Sequence, residues 1–401
     1  MKLQTIGLPQ KVILKELESK LKKDFTFKSG RIIGSMCTEP HPFARKLYVR
    51  YLEKNLGDSG LCPGVAELEK EAVKMIGALF SNPEVSGHIV TGGTEANILA
   101  MWAAKKLSNN ERREVIVPAS AHCSFDKAAD ILGLKVVKVG LNSNFQVDVS
   151  AVKDALNSKT LAIVGVAGTT DLGVVDPIDE LSKIALENKI YLHVDAAFGG
   201  FVLPFLRELS YNVPNFDFAL PGVCSITVDP HKMGLAPIPA GGILFRNEEI
   251  RKAIAWKIPY LAGGETEQAT LTGTRSGASV IAVWALLKHL GMEGYKKIVQ
   301  RCMRLTWKLV EEIRGIEGLD IVTKPTMNVV GLKSEVFDIR QLARELRHRG
   351  WAISVFPKHI RIVVMPHLRK EHVKSFIEDL REVVKKLKRC KEMEKIATTS
   401  I

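Results

Sequence analysis

Residues 190–200 read Ile-Tyr-Leu-His-Val-Asp-Ala-Ala-Phe-Gly-Gly, an apolar run that ends in a carboxylate, two alanines and a glycine pair. Its length and composition predict a buried β-strand from Ile190 to Val194. Asp195 then stands at the carboxyl end of that strand, the edge at which ligands bind in open α/β sheets. The stretch therefore predicts both the kind of sheet and the place of its functional residues.

Six further apolar runs predict strands on either side of this one, at residues 88–91, 114–117, 134–139, 161–167, 226–228 and 242–245. Helical patterns separate many of them, at residues 65–80, 95–107, 124–132, 149–156 and 178–187. Alternation of strands and helices is typical of a sheet covered by helices on both faces. The fold class is therefore α/β, with a mostly parallel seven-stranded sheet in a large domain.

The rest of the chain predicts an arm and a smaller domain. Beyond a break at Gly291–Gly294, strands at 319–322, 328–332, 353–356 and 360–364 accompany helices at 339–349 and at the C-terminus, an α+β pattern. A helix at 12–22 has too little neighbouring core to stand alone, so it packs elsewhere on the protein or on a second subunit. We divide the chain into an N-terminal helical arm (1–60), a large domain (61–290) and a small C-terminal domain (291–401).

Composition sets the class of protein. The 401 residues are 46% hydrophobic and 25% charged, as in ordinary globular proteins, and carry a net charge of +13. No run approaches the roughly 20 apolar residues of a membrane-spanning helix, and the first residues lack a signal-peptide core. The six cysteines form no CxxC pair, which disfavours a zinc ribbon or a disulfide framework, and we predict no metal site. We expect a cytoplasmic protein with no membrane association.

The first functional motif is Thr91-Gly92-Gly93-Thr94-Glu95-Ala96-Asn97, between a predicted strand and a predicted helix. Glycines allow a close approach of the backbone, and the first turn of a helix offers free N–H groups to an anion. The spacing matches neither the P-loop nor GxGxxG, so a simple phosphate ester fits better than ATP or NAD. A plain strand-to-helix turn is the alternative.

The second motif is Asp229-Pro230-His231-Lys232-Met233-Gly234, which follows another buried strand. We expect desolvation to lower the pKa of the Lys232 amine and make it available for a Schiff base. Taken singly, Lys232 could be a surface lysine and Asp195 a helix cap. Together with the helix start at Gly93, however, they supply anchors for the aldehyde, ring nitrogen and phosphate of pyridoxal 5′-phosphate.

With these motifs the sequence resembles the group II pyridoxal-phosphate-dependent amino acid decarboxylases, most closely the compact archaeal-type tyrosine/aspartate decarboxylases. His193-Val194-Asp195-Ala196-Ala197 and the Asp229–Gly234 motif are specific to this group, and the likeness covers nearly the whole chain. The resemblance implies fold type I of the pyridoxal-phosphate enzymes, that phosphate as cofactor, and α-decarboxylation of an amino acid.

The resemblance also assigns roles around the cofactor ring. Lys232 bonds to the aldehyde, and Asp195 pairs with the pyridinium nitrogen and keeps it protonated. His122 stacks on one face of the ring, where a cap or core histidine is the alternative. Ala197 packs beneath the ring, and Thr169 lies near its hydroxyl group.

The cofactor phosphate has a separate set of implied ligands. Backbone amides hold it at Gly93, Thr94 and Glu95, with His231 nearby. The segment formed by Gly273 and Thr274 reaches the phosphate of the cofactor in a neighbouring subunit. The resemblance therefore implies a homodimer with shared active sites.

Two further residues are assigned to the substrate. Arg361 is implied to bind a substrate carboxylate, because a guanidinium is a planar two-pronged donor; a surface arginine is the alternative. Tyr260 lies in a glycine-bearing segment that could close over the site, and we predict that it returns a proton to the substrate carbon. His122 or Lys232 could supply that proton instead.

The substrate is an L-amino acid, and the resemblance implies aspartate or tyrosine, with glutamate as a further alternative. Aspartate would give β-alanine, a coenzyme A precursor, and the basic charge of the protein favours it slightly. Among pyridoxal-phosphate enzymes, a lyase or a persulfide-forming desulfurase is the alternative reaction class, with Cys37 as the nearest candidate for the catalytic cysteine of a desulfurase. Outside enzymes, the alternative is a basic nucleic-acid-binding protein, but the aromatic residues are few and lie mostly inside apolar runs.

Overall fold

The computed structural model describes residues 3–108 and 111–399; the outer ends of the predicted arm and small domain, residues 1–2 and 400–401, lie outside the described residues. Its helices are α1 Gln10–Leu21, α2 Pro42–Arg50, α3 Pro63–Leu79, α4 Gly93–Leu107, α5 Ser124–Leu132, α6 Val149–Ala155, α7 Ile178–Asn188, α8 Leu203–Glu208, α9 Glu248–Lys252, α10 Gly277–Arg314, α11 Ile339–His348 and α12 Lys370–Thr399. Its strands are β1 Ser86–Val90, β2 Glu114–Pro118, β3 Lys135–Val139, β4 Thr160–Val166, β5 Tyr191–Asp195, β6 Val223–Val228, β7 Gly241–Phe245, β8 Trp256–Leu261, β9 Gly264–Gln268, β10 Asp320–Ile321, β11 Val329–Lys333, β12 Ser354–Val355 and β13 Ile360–Val363.

Strands β1 to β7 form one sheet in the order β1-β7-β6-β5-β4-β2-β3. The strands from β6 to β3 along this order are parallel, whereas β7 is antiparallel to both β1 and β6. Every residue of β2, β4, β5 and β7 is buried, as expected for strands that are covered on both faces. The predicted α/β fold with a mostly parallel seven-stranded sheet is confirmed.

The two faces of this sheet pack against different helices. Adjacent strand residues point to opposite faces, so Ile163 packs in the same core as Ile76 of α3, whereas Val164 joins Leu99 of α4. His193 and Asp195, two residues apart, both contact Asn97 of α4. Asn97 therefore holds the end of β5 from the face of the sheet that α4 covers.

The C-terminal part has its own antiparallel sheet, in the order β10-β11-β13-β12. Its core contains Leu342 of α11, Trp351 and Phe376 of α12. The predicted break near residue 291 is confirmed, because Gly291 in α10 has φ 54°, a conformation that suits glycine. Strands β10 and β12 have two residues each and are shorter than predicted. The division at 1–60, 61–290 and 291–401 stays a prediction.

Helix α1 lies close to its predicted position, but none of its residues is buried. The apolar residues Val12, Leu14 and Leu17 are 48%, 56% and 48% exposed, so this chain provides no core for the helix. None of the described helices is long and apolar enough to cross a membrane. The cytoplasmic location stays a prediction.

Candidate active site

Helix α4 begins directly beside the ends of β5 and β6. A Cβ added at Gly93 would lie 3.0 Å from Asp229 Oδ2 and 3.3 Å from the Ala197 Cβ, so a side chain at this position would crowd the helix start. The Glu95 carboxylate accepts from Thr91 N at 2.8 Å and from Thr91 Oγ1 at 2.7 Å. These bonds fix the loop that leads into the helix, and the first turn of α4 keeps N–H groups that can bind an anion.

Asp195, at the end of β5, is 6% exposed and is held by two donors. Its Oδ1 accepts from Ala197 N at 3.0 Å, and its Oδ2 accepts from Asn97 Nδ2 at 3.0 Å. These two hydrogen bonds fix the orientation of the Asp195 carboxylate at the end of β5. Asn97 is the last residue of the Thr91–Asn97 motif, but no role was predicted for it from the sequence.

Asn97 is in turn held by a buried polar network. Its Oδ1 accepts from Thr227 Oγ1 at 2.7 Å and lies 3.0 Å from His193 Nε2, while His193 Nδ1 lies 2.8 Å from Ser225 Oγ. Burial lowers the pKa of His193 to about 4, so the ring is neutral at neutral pH. Neutral His193 can donate through Nε2 to Asn97 and accept from Ser225, which aims the Asn97 amide at Asp195.

Lys232 lies in the turn after β6, and its Nζ is 2.8 Å from Asp229 Oδ2. The expectation that its pKa is lowered is wrong. Burial alone would lower the pKa of the amine, but the charge and hydrogen bond of Asp229, together with the charge of Asp195, raise it above its ordinary value. The raised pKa favours the ammonium form of the amine.

A cavity of about 330 Å³ brings the predicted cofactor residues together, within the range of small-molecule sites. Eight residues predicted from the sequence line it: Gly93, Thr94, Glu95, His122, Asp195, Ala197, His231 and Lys232. The cavity lies at the carboxyl ends of β4, β5 and β6, the edge expected for a ligand in this class of sheet.

The two histidines are held differently at this cavity. His122 is exposed, and its Nδ1 accepts from Ser124 N at 3.2 Å at the start of α5. His231 lies against the glycine turn, 3.2 Å from a Cβ placed at Gly92, and its Nδ1 accepts from Ala240 N at 3.2 Å. Burial lowers the pKa of His231, which favours the neutral ring.

Thr169 and Arg361 lie beside the cavity rather than among its lining residues. Thr169 Oγ1 accepts from Val174 N at 3.1 Å, within its own loop. Arg361 Nη1 donates to Thr170 O at 2.7 Å and Nη2 donates to Gly34 O at 2.6 Å, whereas its buried Nε has no partner among the described residues. Arg361 thus ties together two segments that border the cavity.

Tyr260, Gly273 and Thr274 are not brought to the cavity of their own chain. Tyr260 is 82% exposed on the β8–β9 hairpin, which the sequence reasoning did not predict as strands. The hairpin and the Gly273-Thr274 loop pack on residues 57–60, where the backbones at Gly57 and Gly60 leave no room for a Cβ. The roles of these three residues stay predictions.

Solved structures of similar fold define the class of protein. The sphingosine-1-phosphate lyase of Burkholderia pseudomallei matches with a TM-score of 0.88 at 30% identity over 100% of this chain and 97% of that one. The glutamate decarboxylase of Lactobacillus brevis matches with a TM-score of 0.86 over 96% and 94% of the two chains, and its 24% identity shows the fold alone. The chain therefore has the fold type I architecture of pyridoxal-phosphate enzymes.

Sequence comparison gives the family. Residues 47–335 match the pyridoxal-dependent decarboxylase conserved domain. The L-aspartate/L-glutamate decarboxylase of Pyrococcus horikoshii is 53% identical over 96% of this chain and 100% of its own length. A probable L-tyrosine/L-aspartate decarboxylase of Methanothermobacter thermautotrophicus is 51% identical over 88% and 98% of the two chains. The chain belongs to the pyridoxal-dependent decarboxylase family.

Family membership confirms three predictions at once: the resemblance, the pyridoxal phosphate cofactor and the carboxy-lyase class of enzyme. It favours decarboxylation over persulfide chemistry at Cys37. Burial raises the pKa of the Cys37 thiol, which leaves it a poor nucleophile in this structure.

Proposed function

We propose that the protein removes the α-carboxylate of L-aspartate with pyridoxal 5′-phosphate, giving β-alanine and carbon dioxide. The observation that carries this proposal is the single cavity shared by Lys232 and Asp195. Aspartate is the substrate common to the names of the two relatives described above. Tyrosine and glutamate, which each stand in one of those names, are the alternatives.

The residues around the cavity fit the three polar groups of the cofactor. The start of α4 at Gly93, Thr94 and Glu95 would bind the phosphate through backbone N–H groups. Asp195 would pair with the ring nitrogen, and Lys232 would bond to the aldehyde carbon. When bound, the cofactor accepts the electron pair released as carbon dioxide leaves.

Asp195 would act by keeping a proton on the ring nitrogen. Its two fixed donors, Ala197 N and Asn97 Nδ2, orient the carboxylate, whose remaining lone pairs can accept a third hydrogen bond. His122 and Ala197 line the same cavity and would contact the two faces of the ring. Thr169 directly precedes Thr170, which lines the cavity. Through the loop that it holds, Thr169 would act near the hydroxyl group of the cofactor ring.

Arg361 would bind a substrate carboxylate through its guanidinium, whose Nε has no partner among the described residues. Its other two nitrogens already hold Gly34 O and Thr170 O, so the guanidinium is fixed before substrate arrives. A prefixed donor loses little side-chain entropy on binding. This arrangement supports a substrate-binding role for Arg361 at the border of the cavity.

We place the function in a homodimer with shared active sites. Helix α1 exposes Val12, Leu14 and Leu17, and a largely apolar groove of about 950 Å³ runs between α2, α3 and α10. A second copy could cover both surfaces. In such a dimer the exposed Tyr260 and Gly273-Thr274 would reach the partner's cavity, with Tyr260 as proton donor.

A panel of amino acids tests the proposed function. Holoenzyme is incubated separately with aspartate, glutamate and tyrosine, and carbon dioxide and the amine product are measured, with Lys232→Ala as the inactive control. We expect β-alanine as the main product. Tyramine or γ-aminobutyrate as the main product would replace aspartate by tyrosine or glutamate, and no amine from any of the three would contradict the proposal.

A further inference from the structure

The carboxylate nearest to Lys232 is Asp229, three residues earlier in the same turn. Its Oδ2 lies 2.8 Å from Lys232 Nζ, and the residue is 2% exposed. Its other oxygen, Oδ1, is buried without a hydrogen-bond partner among the described residues. The two residues therefore form an ion pair in which the acid is buried and the amine half-buried, and the acid has no second strong donor among the described residues.

The backbone holds Asp229 in this position. Asp229 N donates to Ala197 O at 3.1 Å, and Lys232 N donates to Asp229 O at 3.0 Å, which closes the turn that brings the two side chains together. A Cβ at Gly234 would lie 2.6 Å from Pro230 O, so the continuation of the turn is tight as well. A buried carboxylate fixed in this way requires a cation, and Lys232 is the cation that it contacts.

Other charged and titratable groups face the Lys232 amine from every side of the cavity. Asp195 at the end of β5 and Cys37 of the N-terminal segment both act on its charge. His231 lies in its own turn, with Nε2 3.7 Å from Asp229 Oδ2. Glu95 of α4 and His122 before α5 also line the cavity. Of these groups, Asp229 makes the direct contact.

We propose that Asp229 is a positioning residue for Lys232, which holds the amine as an ammonium ion in the cofactor cavity whenever that amine is not bonded to the cofactor. The proposal rests on the proposed function of Lys232. An ammonium ion has no lone pair to attack an aldehyde, so one proton must pass from Lys232 to solvent before the nitrogen–carbon bond forms. The two hydrogens of the neutral amine then depart with the aldehyde oxygen as water. Asp229 therefore sets the pH at which the protein takes up its cofactor.

Cofactor uptake by the apoprotein tests this proposal without measuring turnover. Saturating pyridoxal 5′-phosphate is mixed with apoprotein across a pH series, and the yellow absorbance of the bond to Lys232 is followed. In Asp229→Asn the amine loses its counter-ion, so we expect the midpoint of the rate profile to fall by about one pH unit or more. Below both midpoints, attachment should be about tenfold faster than in the wild type, since one unit of pKa is a factor of ten.

Two further variants keep the test decisive. Asp217→Asn alters another buried aspartate that pairs with a cation, Arg207 at 3.1 Å, outside the cavity, and should leave the midpoint unchanged. Asp229→Ser removes the charge with a smaller side chain and should shift the midpoint like Asp229→Asn, should the latter fold poorly. Slower attachment or an unchanged midpoint in a folded Asp229 variant would overturn the proposal. Wild-type protein that takes up no cofactor would instead contradict the proposed function.

Discussion

The edge of the large sheet and the β8–β9 side of the molecule hold their predicted site residues in different ways. At the sheet edge, Asp195 is buried and Lys232 is half-buried, and each contacts partners from its own chain. On the other side, Tyr260 is 82% exposed, and Gly273 and Thr274 lie outside the cavity. The first region is organised within one chain, whereas the second has its proposed ligands in another subunit.

The largest expected effect tests whether the second region acts across subunits. Lys232→Ala and Tyr260→Phe should each reduce decarboxylation by at least about a hundredfold, because one lacks the bonding amine and the other the proposed acid. Co-expressed together, the two variants should recover about a quarter of wild-type activity, since half of the dimers are mixed and each carries one intact site.

The purified mixture is assayed for carbon dioxide beside each variant alone and the exposed-surface control Lys127→Ala. No recovery, in dimers shown by mass spectrometry to be mixed, would mean that Tyr260 does not act on the partner's site.

A second prediction concerns the ion pair of Arg275 and Glu69, which lies next to the Gly273-Thr274 loop. Arg275, next to Gly273-Thr274, binds Glu69 of α3 through Nη1, which also donates to Ile89 O at 2.9 Å. Glu69→Gln leaves the largely buried Arg275 guanidinium, whose side chain is 11% exposed, without its counter-charge, so we expect unfolding to become easier by about 3 kcal/mol at neutral pH. The exposed neighbour on the same helix, Glu71→Gln, should change stability by less than about 1 kcal/mol.

The same pair predicts a pH dependence. Burial raises the pKa of Glu69, but Arg275 and His88 outweigh it and lower the pKa from 4.5 to about 2. Because the folded pKa is depressed, this stabilisation is present above pH 4.5 and is lost as the pH falls toward 2. Denaturant unfolding should therefore show the wild type and Glu69→Gln converging in acid. A constant difference between them would contradict the assignment.

The smallest expected effect concerns the hydrogen bond from Asn97 that orients Asp195 at the sheet edge. Asn97→Ala removes the side-chain donor to Asp195 and leaves His193 and Thr227 without their acceptor. Loss of a hydrogen bond to a charged group costs about 1.5 to 3 kcal/mol, so we expect cofactor affinity to fall about 10- to 100-fold. Absorbance titration of the apoprotein measures this, with the exposed-loop variant Asn144→Ala as control. Unchanged affinity would show that Ala197 N alone orients Asp195.

The sequence predicted the fold and the sheet-edge residues because both depend on local patterns. A run such as Leu161 to Ala167 is apolar throughout, and only a strand buried on both faces suits it. Asp195 directly follows such a run and Lys232 comes four residues after the end of another, at Val228, so their place at the sheet edge follows from the topology.

Contacts between residues that are far apart in the sequence leave no comparable local pattern in it. Asn97 meets Asp195 across 98 positions, a pairing that needs the three-dimensional sheet. The β8–β9 hairpin was missed because its residues are largely exposed, Pro259 interrupts β8, and β9 is mostly polar, so neither strand shows the alternation that marks a half-buried strand. The pKa direction of Lys232 could have been found, because Asp229 stands three residues earlier in the quoted motif and a turn brings such residues together.

Reduction of the holoenzyme with borohydride, followed by peptide mass spectrometry, tests the central claim most directly. The account predicts that the added mass of the reduced cofactor is found on the peptide that contains Lys232. The same mass on another lysine, or an active enzyme with no labelled lysine, would contradict it.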